Sequence, residues 1–253
     1  MEFEIVTVPC LEDNYAFLVN GGGRTALIDA PETAPIAKML GDRGWTLDEV
    51  WITHHHPDHV QGLPDLRERF RPLVRGAKAD AHRLPALDVA HDDGDRFDFA
   101  GAEVRVIDVS GHTINHIAYL MPAAHAAFTG DSLMALGCGR VFEGTMEQMW
   151  NSLTRFMDLA PHTLICSGHE YTANNARFAI TIEPDNAELQ ARMDRIREAR
   201  AEGRFTVPSQ MGEELATNPF LRAGLDRVKA HLDMAGATDA AVFAEIRRRK
   251  DAF

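Results

Sequence analysis

The sequence predicts an α/β domain over residues 1–171 followed by a helical domain over residues 172–253. Three observations lead there. Short apolar or β-branched runs alternate with helical stretches as far as about residue 170. Beyond Tyr171 the apolar spacing becomes mainly helical. Charge and histidine content divide at the same place: residues 1–171 hold 13 basic and 25 acidic residues, the whole net charge of −12, against 13 and 13 in residues 172–253, and eleven of the 12 histidines precede residue 172. A chain of 253 residues, 45% of them hydrophobic, can build one sizeable core with an appendage.

Taken in order, the strands are expected at residues 3–8, 16–19, 25–28, 50–53, 104–109, 117–120, 126–129 and 163–166, all short and rich in β-branched or apolar side chains. Gly21-Gly22-Gly23 between the second and third reads as a hairpin turn, because glycine tolerates positive φ. Thr145 and Gln148 stand three apart ahead of Met149, Trp150 and Leu153, the pattern of a capping box opening a helix. In the second domain, helices are expected at 186–201, 224–234 and 238–250. Pro208 and Asn218-Pro219 break helices, so residues 205–221 are expected to be mostly irregular.

Composition narrows the function classes. No apolar run approaches the ~20 residues of a membrane span, and the opening residues lack the basic and apolar regions of a signal peptide. Cys10, Cys138 and Cys166 are too few and too widely spaced for a disulfide framework or a zinc-thiolate site. A net charge of −12 disfavours nucleic acid as a partner. A monomer in a reducing cytoplasm is the simplest expectation.

The chemistry concentrates in Thr53-His54-His55-His56-Pro57-Asp58-His59. Alternation along an extended chain sends His54 and His56 one way and His55 the other. Pro57 holds His56 extended and suits the first position of a helix, from whose first turn Asp58 and His59 project in different directions. One short loop thus offers His54 and His56 to one ion and Asp58 and His59 to a second. Three later segments repeat the order strand, glycine, polar residue: Ser110-Gly111-His112, Thr129-Gly130-Asp131 and Ser167-Gly168-His169. Singly, each suits a cap or a turn; after the histidine motif, they suit metal ligands on strand-end loops.

This ordered set, HxHxDH followed by His, Asp and His, resembles the metallo-β-lactamase superfamily. The resemblance implies an αββα sandwich with a C-terminal helical domain. It also implies two divalent ions, zinc foremost and iron or manganese as alternatives. His54, His56 and His112 would bind one ion, Asp58, His59 and His169 the other, and Asp131 both, with Asp58 and Asp131 the carboxylates of the catalytic centre. Five neutral imidazoles, two carboxylates, two divalent ions and a hydroxide between them sum to +1, a centre that attracts an anionic or carbonyl-bearing substrate. His116 falls outside the ligand pattern and takes a structural role, and His55, His82, His91, His125, His162 and His231 an ordinary one.

Within the superfamily, further stretches resemble glyoxalase II: Asp13-Asn14-Tyr15, the three consecutive histidines, Gly137-Cys138-Gly139-Arg140, Phe142-Glu143-Gly144-Thr145, the run from Gly168 to Asn175, Thr217-Asn218-Pro219-Phe220-Leu221-Arg222, and Arg248-Arg249-Lys250-Asp251. They span nearly the whole chain. The family implies hydrolysis of S-D-lactoylglutathione, a small-molecule thioester, to glutathione and D-lactate in methylglyoxal detoxification. Glutathione would be held by Arg140, Phe142, Tyr171, Arg247 and Lys250. The family usually carries tyrosine at Phe142, glycine at Asn115 and often phenylalanine at Met134. Phe243, Ile246, Arg247 and Lys250 share one helical face, which aims two cations toward the protein, while Arg248 and Arg249 point elsewhere. A glutathione persulfide dioxygenase, using one iron, is the alternative. A fold relative acting on nucleic acid would need a large insertion, for which the 37 residues between Asp131 and His169 leave little room.

Overall fold

In a computed structural model that describes residues 2–253, the chain opens with β1 (Glu4–Cys10), β2 (Asn14–Gly21) and β3 (Arg24–Ile28), an antiparallel meander. Gly22 and Gly23 turn the β2–β3 hairpin at φ of 57° and 78°, a conformation that a side chain resists. Helix α1 (Thr33–Arg43) then carries the chain to β4 (Glu49–Trp51). The short α2 (Pro57–Val60) and α3 (Leu63–Phe70) carry it on to β5 (Leu73–Ala77), and β6 (Val89–His91) completes a six-stranded sheet in the order β1 to β6. The pairs β3–β4, β4–β5 and β5–β6 are parallel. A second set of strands, β7 (Arg96–Phe99), β8 (Ala102–Asp108), β9 (Ile117–Met121) and β10 (Ala126–Gly130), is antiparallel between neighbours.

These elements fill the first of two compact units, residues 1–109 with 115–130. Its core is aromatic. The fully buried Trp51 meets Phe97 and Phe99 of β7 edge-on, each with centroids 5.2 Å away, and Tyr119 and Phe128 at 5.5 and 6.4 Å. Its indole N–H donates to the buried Glu49 carboxylate at 2.8 Å, which Arg24 and Arg75 neutralise at 2.8 and 2.7 Å. The sequence did not announce β5, β6 or β7. Arg75 explains β5: a guanidinium interrupts the apolar run, yet it is half of the Glu49 pair and lies 4.1 Å over the Phe97 ring. β6 has only three residues, too few for a pattern.

The second unit comprises residues 110–114 and 131–253. It contains the small hairpin β11 (Leu133–Met134) and β12 (Gly137–Cys138), helix α4 (Met146–Thr154), and the pair β13 (Leu164–Ser167) and β14 (Ser209–Gln210). Five further helices are α5 (Thr172–Ile182), α6 (Ala187–Ala201), α7 (Met211–Thr217), α8 (Asp226–His231) and α9 (Asp239–Ala252). The capping box at Thr145 and Gln148 forms with both of its bonds. Asn186 and Thr238 cap α6 and α9. Two expectations need correction. Residues 205–221 are not mostly irregular: they hold β14 and α7, because Pro208 precedes the helix and Asn218-Pro219 follows it, so both prolines bound α7. Only 226–231 of the 224–234 segment is helical, the chain soon reaching Asp233 at a φ of 58°. Phe178, Phe220 and Phe243, all buried, with Trp150 beside Phe243, form this unit's aromatic core.

Removing the indole at the centre of the first core leaves a large cavity and takes one donor from the Glu49 carboxylate. Trp51→Ala is expected to lower the unfolding free energy by about 3–5 kcal/mol, read from the midpoint of a urea titration.

Candidate metal centre

The first unit carries four of the seven sequence-predicted ligands. After β4 the chain runs extended through His56, whose φ of −58° and ψ of 141° lead into Pro57 at the first turn of α2. His54 and His56 fall on the same side, with His54 Nε2 3.1 Å from His56 Nδ1. His55 turns away and binds the buried Asp80 at 3.0 Å. His54 and His59 are fully buried. Asp58 lies with its Oδ2 3.9 Å from His59 Nε2, and Asn14 donates to the Asp58 carboxylate and carbonyl, both at 3.1 Å.

Asp29 organises this half, and the sequence reading missed it. Placed directly after β3 at a φ of 58°, it is buried and accepts three bonds of 2.8 Å: from Thr53 N, from Thr53 Oγ1 and from His59 Nδ1. The bond from His59 puts that ring's proton on Nδ1 and leaves the Nε2 lone pair for a ligand. Thr53 Oγ1, having given its proton to Asp29, can only accept from His54 Nδ1 at 3.0 Å, which frees His54 Nε2 in the same way. Ligand atoms of Asp29, His54 and His59 lie within 4.8 Å of one another. The available signal was a buried-looking strand, Leu27-Ile28, ending in an acid. His116 stacks on His54 with centroids 4.6 Å apart and planes at 17°, in keeping with its structural reading. Gly130 allows this: a Cβ there would stand 2.6 Å from Thr53 Oγ1 and 2.8 Å from the His116 ring. Asn115 adopts a φ of 67°, a conformation glycine and asparagine both accept.

The second unit carries His112, Asp131 and His169, all buried. His112 Nε2 and His169 Nε2 approach the same oxygen, Asp131 Oδ2, at 3.5 and 3.2 Å. His112 Nδ1 donates to the Arg140 carbonyl at 2.8 Å, so its Nε2 faces the carboxylate with a lone pair. That lone pair and the carboxylate oxygen repel unless a cation lies between them. Nitrogen and oxygen donors with ring protons tied off by carbonyl and carboxylate acceptors suit a divalent metal. The cysteines do not compete: burial raises the Cys10 thiol to about 12 and Cys138 to about 11, and raises Cys166 as well, so none is a ready nucleophile.

Residues 11–169 match the model of the metallo-β-lactamase superfamily, and residues 170–253 match that of the hydroxyacylglutathione hydrolase C-terminus. Hydroxyacylglutathione hydrolases from Ruegeria pomeroyi and Roseobacter denitrificans are each 61% identical to this chain, covering all of both partners. The chain belongs to the hydroxyacylglutathione hydrolase family. The family's enzyme from Methylococcus capsulatus is 49% identical over 99% of this chain and 98% of its own. Among solved structures, the B3 metallo-β-lactamase BLEG-1 aligns with a TM-score of 0.67 at 16% identity, covering 86% of this chain and 99% of that one. ETHE1 from Myxococcus xanthus aligns at 0.63 and 24%, covering 100% and 99%. These two likenesses concern the fold, which is that of the metallo-β-lactamases with a C-terminal helical region.

The five residues that the hydroxyacylglutathione hydrolase resemblance singles out for substrate all lie in the second unit. Tyr171 stacks on His169 at 4.7 Å and 8°, and the exposed Phe142 ring lies 5.3 Å from His112. Arg140 is exposed and pairs with Asp251 at 3.3 Å. Arg247 is 5% exposed; it donates to the Cys138 carbonyl at 2.9 Å and pairs with Asp251 at 3.0 Å. Lys250, half-buried over the Phe178 and Phe253 rings, is depressed to about 8, chiefly by burial and then by Arg247 and Arg177, with Asp251 opposing. Arg248 and Arg249 reach back to Glu245. The shared α9 face is real, but its two cations are already partnered by protein groups.

Asn keeps the backbone conformation of Asp29 but not its charge. Asp29→Asn is expected to weaken zinc binding about 10–100-fold, measured by competition with a chromophoric chelator, while far-UV circular dichroism stays unchanged.

Proposed function

We propose that this chain hydrolyses S-D-lactoylglutathione and related 2-hydroxyacylglutathiones to glutathione and the free 2-hydroxy acid, a step in methylglyoxal detoxification. The observation that carries the reading is the continuous match of residues 170–253 to the hydroxyacylglutathione hydrolase C-terminus, joined to a superfamily domain with its donor set complete. That C-terminal match also favours it over the persulfide dioxygenase alternative. In this reading residues 1–171 supply the catalytic apparatus and residues 172–253 most of the substrate-holding surface.

By the order of the superfamily motif we assign one divalent ion to His54, His56 and His112 and a second to Asp58, His59 and His169, with Asp131 shared. Zinc suits the N/O set best, with iron or manganese as alternatives. When bound, the ions supply Lewis acidity and make water nucleophilic near neutral pH. The protein's part is positional. Asp29 and the Arg140 carbonyl hold protons on the far nitrogens of His59 and His112, Asn14 fixes the Asp58 carboxylate, and Tyr171 and Phe142 flank the histidines with apolar faces. Of the cations, Arg140 and Lys250 are the accessible ones for the carboxylates of glutathione, with Arg247 behind them. The departing thiolate, with a conjugate-acid pKa near ~8.5, needs no strong general acid.

Three buried cysteines outside any disulfide support a reducing, cytoplasmic setting, and the net charge of −12 supports the exclusion of nucleic acid. No helix of the described residues is long and apolar enough to cross a membrane. We read the working form as a monomer, which sedimentation equilibrium would test.

Metal analysis paired with an S-D-lactoylglutathione assay is the decisive experiment. Wild type should hold two ions per chain and hydrolyse the thioester. Asp131→Ala should retain at most one ion and lose at least about a hundredfold in kcat/KM. Full activity at one ion per chain would overturn the binuclear reading.

Lys250 gives a pH prediction. With its pKa depressed to about 8, its charge is present below that pH and is lost above it. Contacts remote from the scissile bond act on KM rather than kcat. KM should therefore rise severalfold between pH 7 and 9, and Lys250→Arg, which stays charged, should flatten that rise.

A further inference from the structure

We infer that Glu214 and Asn218, with Asn175 supporting them, are positioning residues for the metal site: they mould the hairpin that runs from Asp131 to Arg140. The inference rests on the metal centre proposed above and deepens it. The hairpin matters at both ends. Asp131 opens it, and Arg140 closes it with the carbonyl that holds His112 Nδ1 at 2.8 Å. Between them the turn contains Leu136 at a φ of 56°, and Gly139 lies so near the opening residue that a Cβ there would stand 2.0 Å from the Asp131 carbonyl oxygen. Displacing the turn therefore moves a carboxylate ligand and the anchor of a histidine ligand together.

Only two residue pairs join β11 to β12, too few to fix such a turn from within. The helices do it instead. Five consecutive residues each have a backbone group bound by a side chain of α5, α7 or α9, or of Asn218 at the end of α7. Asn218 Nδ2 donates to the carbonyls of Met134 and Gly137 at 3.1 and 3.0 Å, and Asn175 Nδ2 to that of Ala135 at 3.0 Å. Leu136 N donates to Glu214 Oε2 at 2.8 Å, and Arg247 donates to the Cys138 carbonyl at 2.9 Å. Glu214 and Asn218 are fully buried. The Glu214 charge is balanced by Arg192, itself buried, at 2.5 Å, and Arg192 is held by Thr217 at 2.7 Å. Asn218 also donates to Glu214 at 3.0 Å. Buried networks with every member bonded specify one geometry, and breaking one member leaves the others unpaired.

The test compares Glu214→Gln, Asn218→Ala and the milder Asn175→Ala with Glu183→Gln. Glu183 is a control of similar character: a buried carboxylate paired with Arg222 and Arg227, with no bond to the hairpin. Each protein is stripped of metal, checked by circular dichroism and thermal unfolding, and titrated with zinc against a chromophoric chelator. Glu214→Gln and Asn218→Ala should bind zinc about 10–100-fold more weakly, and Asn175→Ala several-fold more weakly. On S-D-lactoylglutathione the three should lose kcat with KM within about twofold. Glu183→Gln should lose thermal stability but keep wild-type zinc affinity and kcat. If the folded hairpin variants bind zinc as wild type does, or if Glu183→Gln weakens zinc equally, the positioning role is wrong. Should wild type bind two zinc ions yet leave the thioester intact, the proposed substrate fails, while the zinc titrations still decide the positioning role.

Discussion

A histidine can serve a metal only with the nitrogen that has no proton, and an imidazole in water has no reason to choose which one that is. In this chain the choice is made by acceptors placed behind the rings. The Asp29 carboxylate takes the His59 proton directly and fixes His54 through the Thr53 hydroxyl. The Arg140 carbonyl does the same for His112. Much of the surrounding architecture follows from putting these acceptors in place. Asp29 sits in a left-handed turn at the end of β3, Thr53 follows β4, and β3 and β4 are parallel hydrogen-bonded neighbours in a mixed sheet, so adjacent strand ends deliver both partners to one spot.

The parts of this arrangement that were legible in the sequence are those with a local signature. His54, His56, Asp58 and His59 could be placed because alternation along an extended chain and a proline at a helix start are short-range rules. The capping box at Thr145, the glycine turn after β2 and the eight expected strands were readable for the same reason. The acceptors behind the rings were not. Asp29 stands 24 and 30 residues before Thr53 and His59, and a lone acid at the end of a strand has the same appearance whether it caps a turn or orients a ligand.

The helical region shows the same limit from another side. Pro208 and Asn218-Pro219 were read as disruptive, whereas they delimit α7, whose buried face presents Glu214. Buried acids and arginines such as Glu214 and Arg192, or Glu49 and Arg75, carry no marker of burial in the sequence, because the partner that makes burial tolerable lies many residues away. The α9 stripe was foreseen as a packing face that aims two cations toward the protein, but not the groups that receive them. Asp251, one residue beyond Lys250, and the Cys138 carbonyl already engage Arg247. The positive charge of the cluster is thus partly balanced within the protein.

The three cysteines give the molecule an immunity that its chemistry calls for. Hydrolysis of a glutathione thioester releases a thiol on every turnover, into surroundings where that thiol and its disulfide interconvert. A protein thiol joins such traffic only as an exposed thiolate. Cys10, Cys138 and Cys166 are each at most 5% exposed, and burial holds all three in the protonated form. Even Cys138, with the Arg247 guanidinium 3.8 Å from its sulfur, stays protonated. Imidazole, carboxylate, phenol and guanidinium do not exchange with a disulfide, so glutathione disulfide finds no exposed thiolate on this chain to attack.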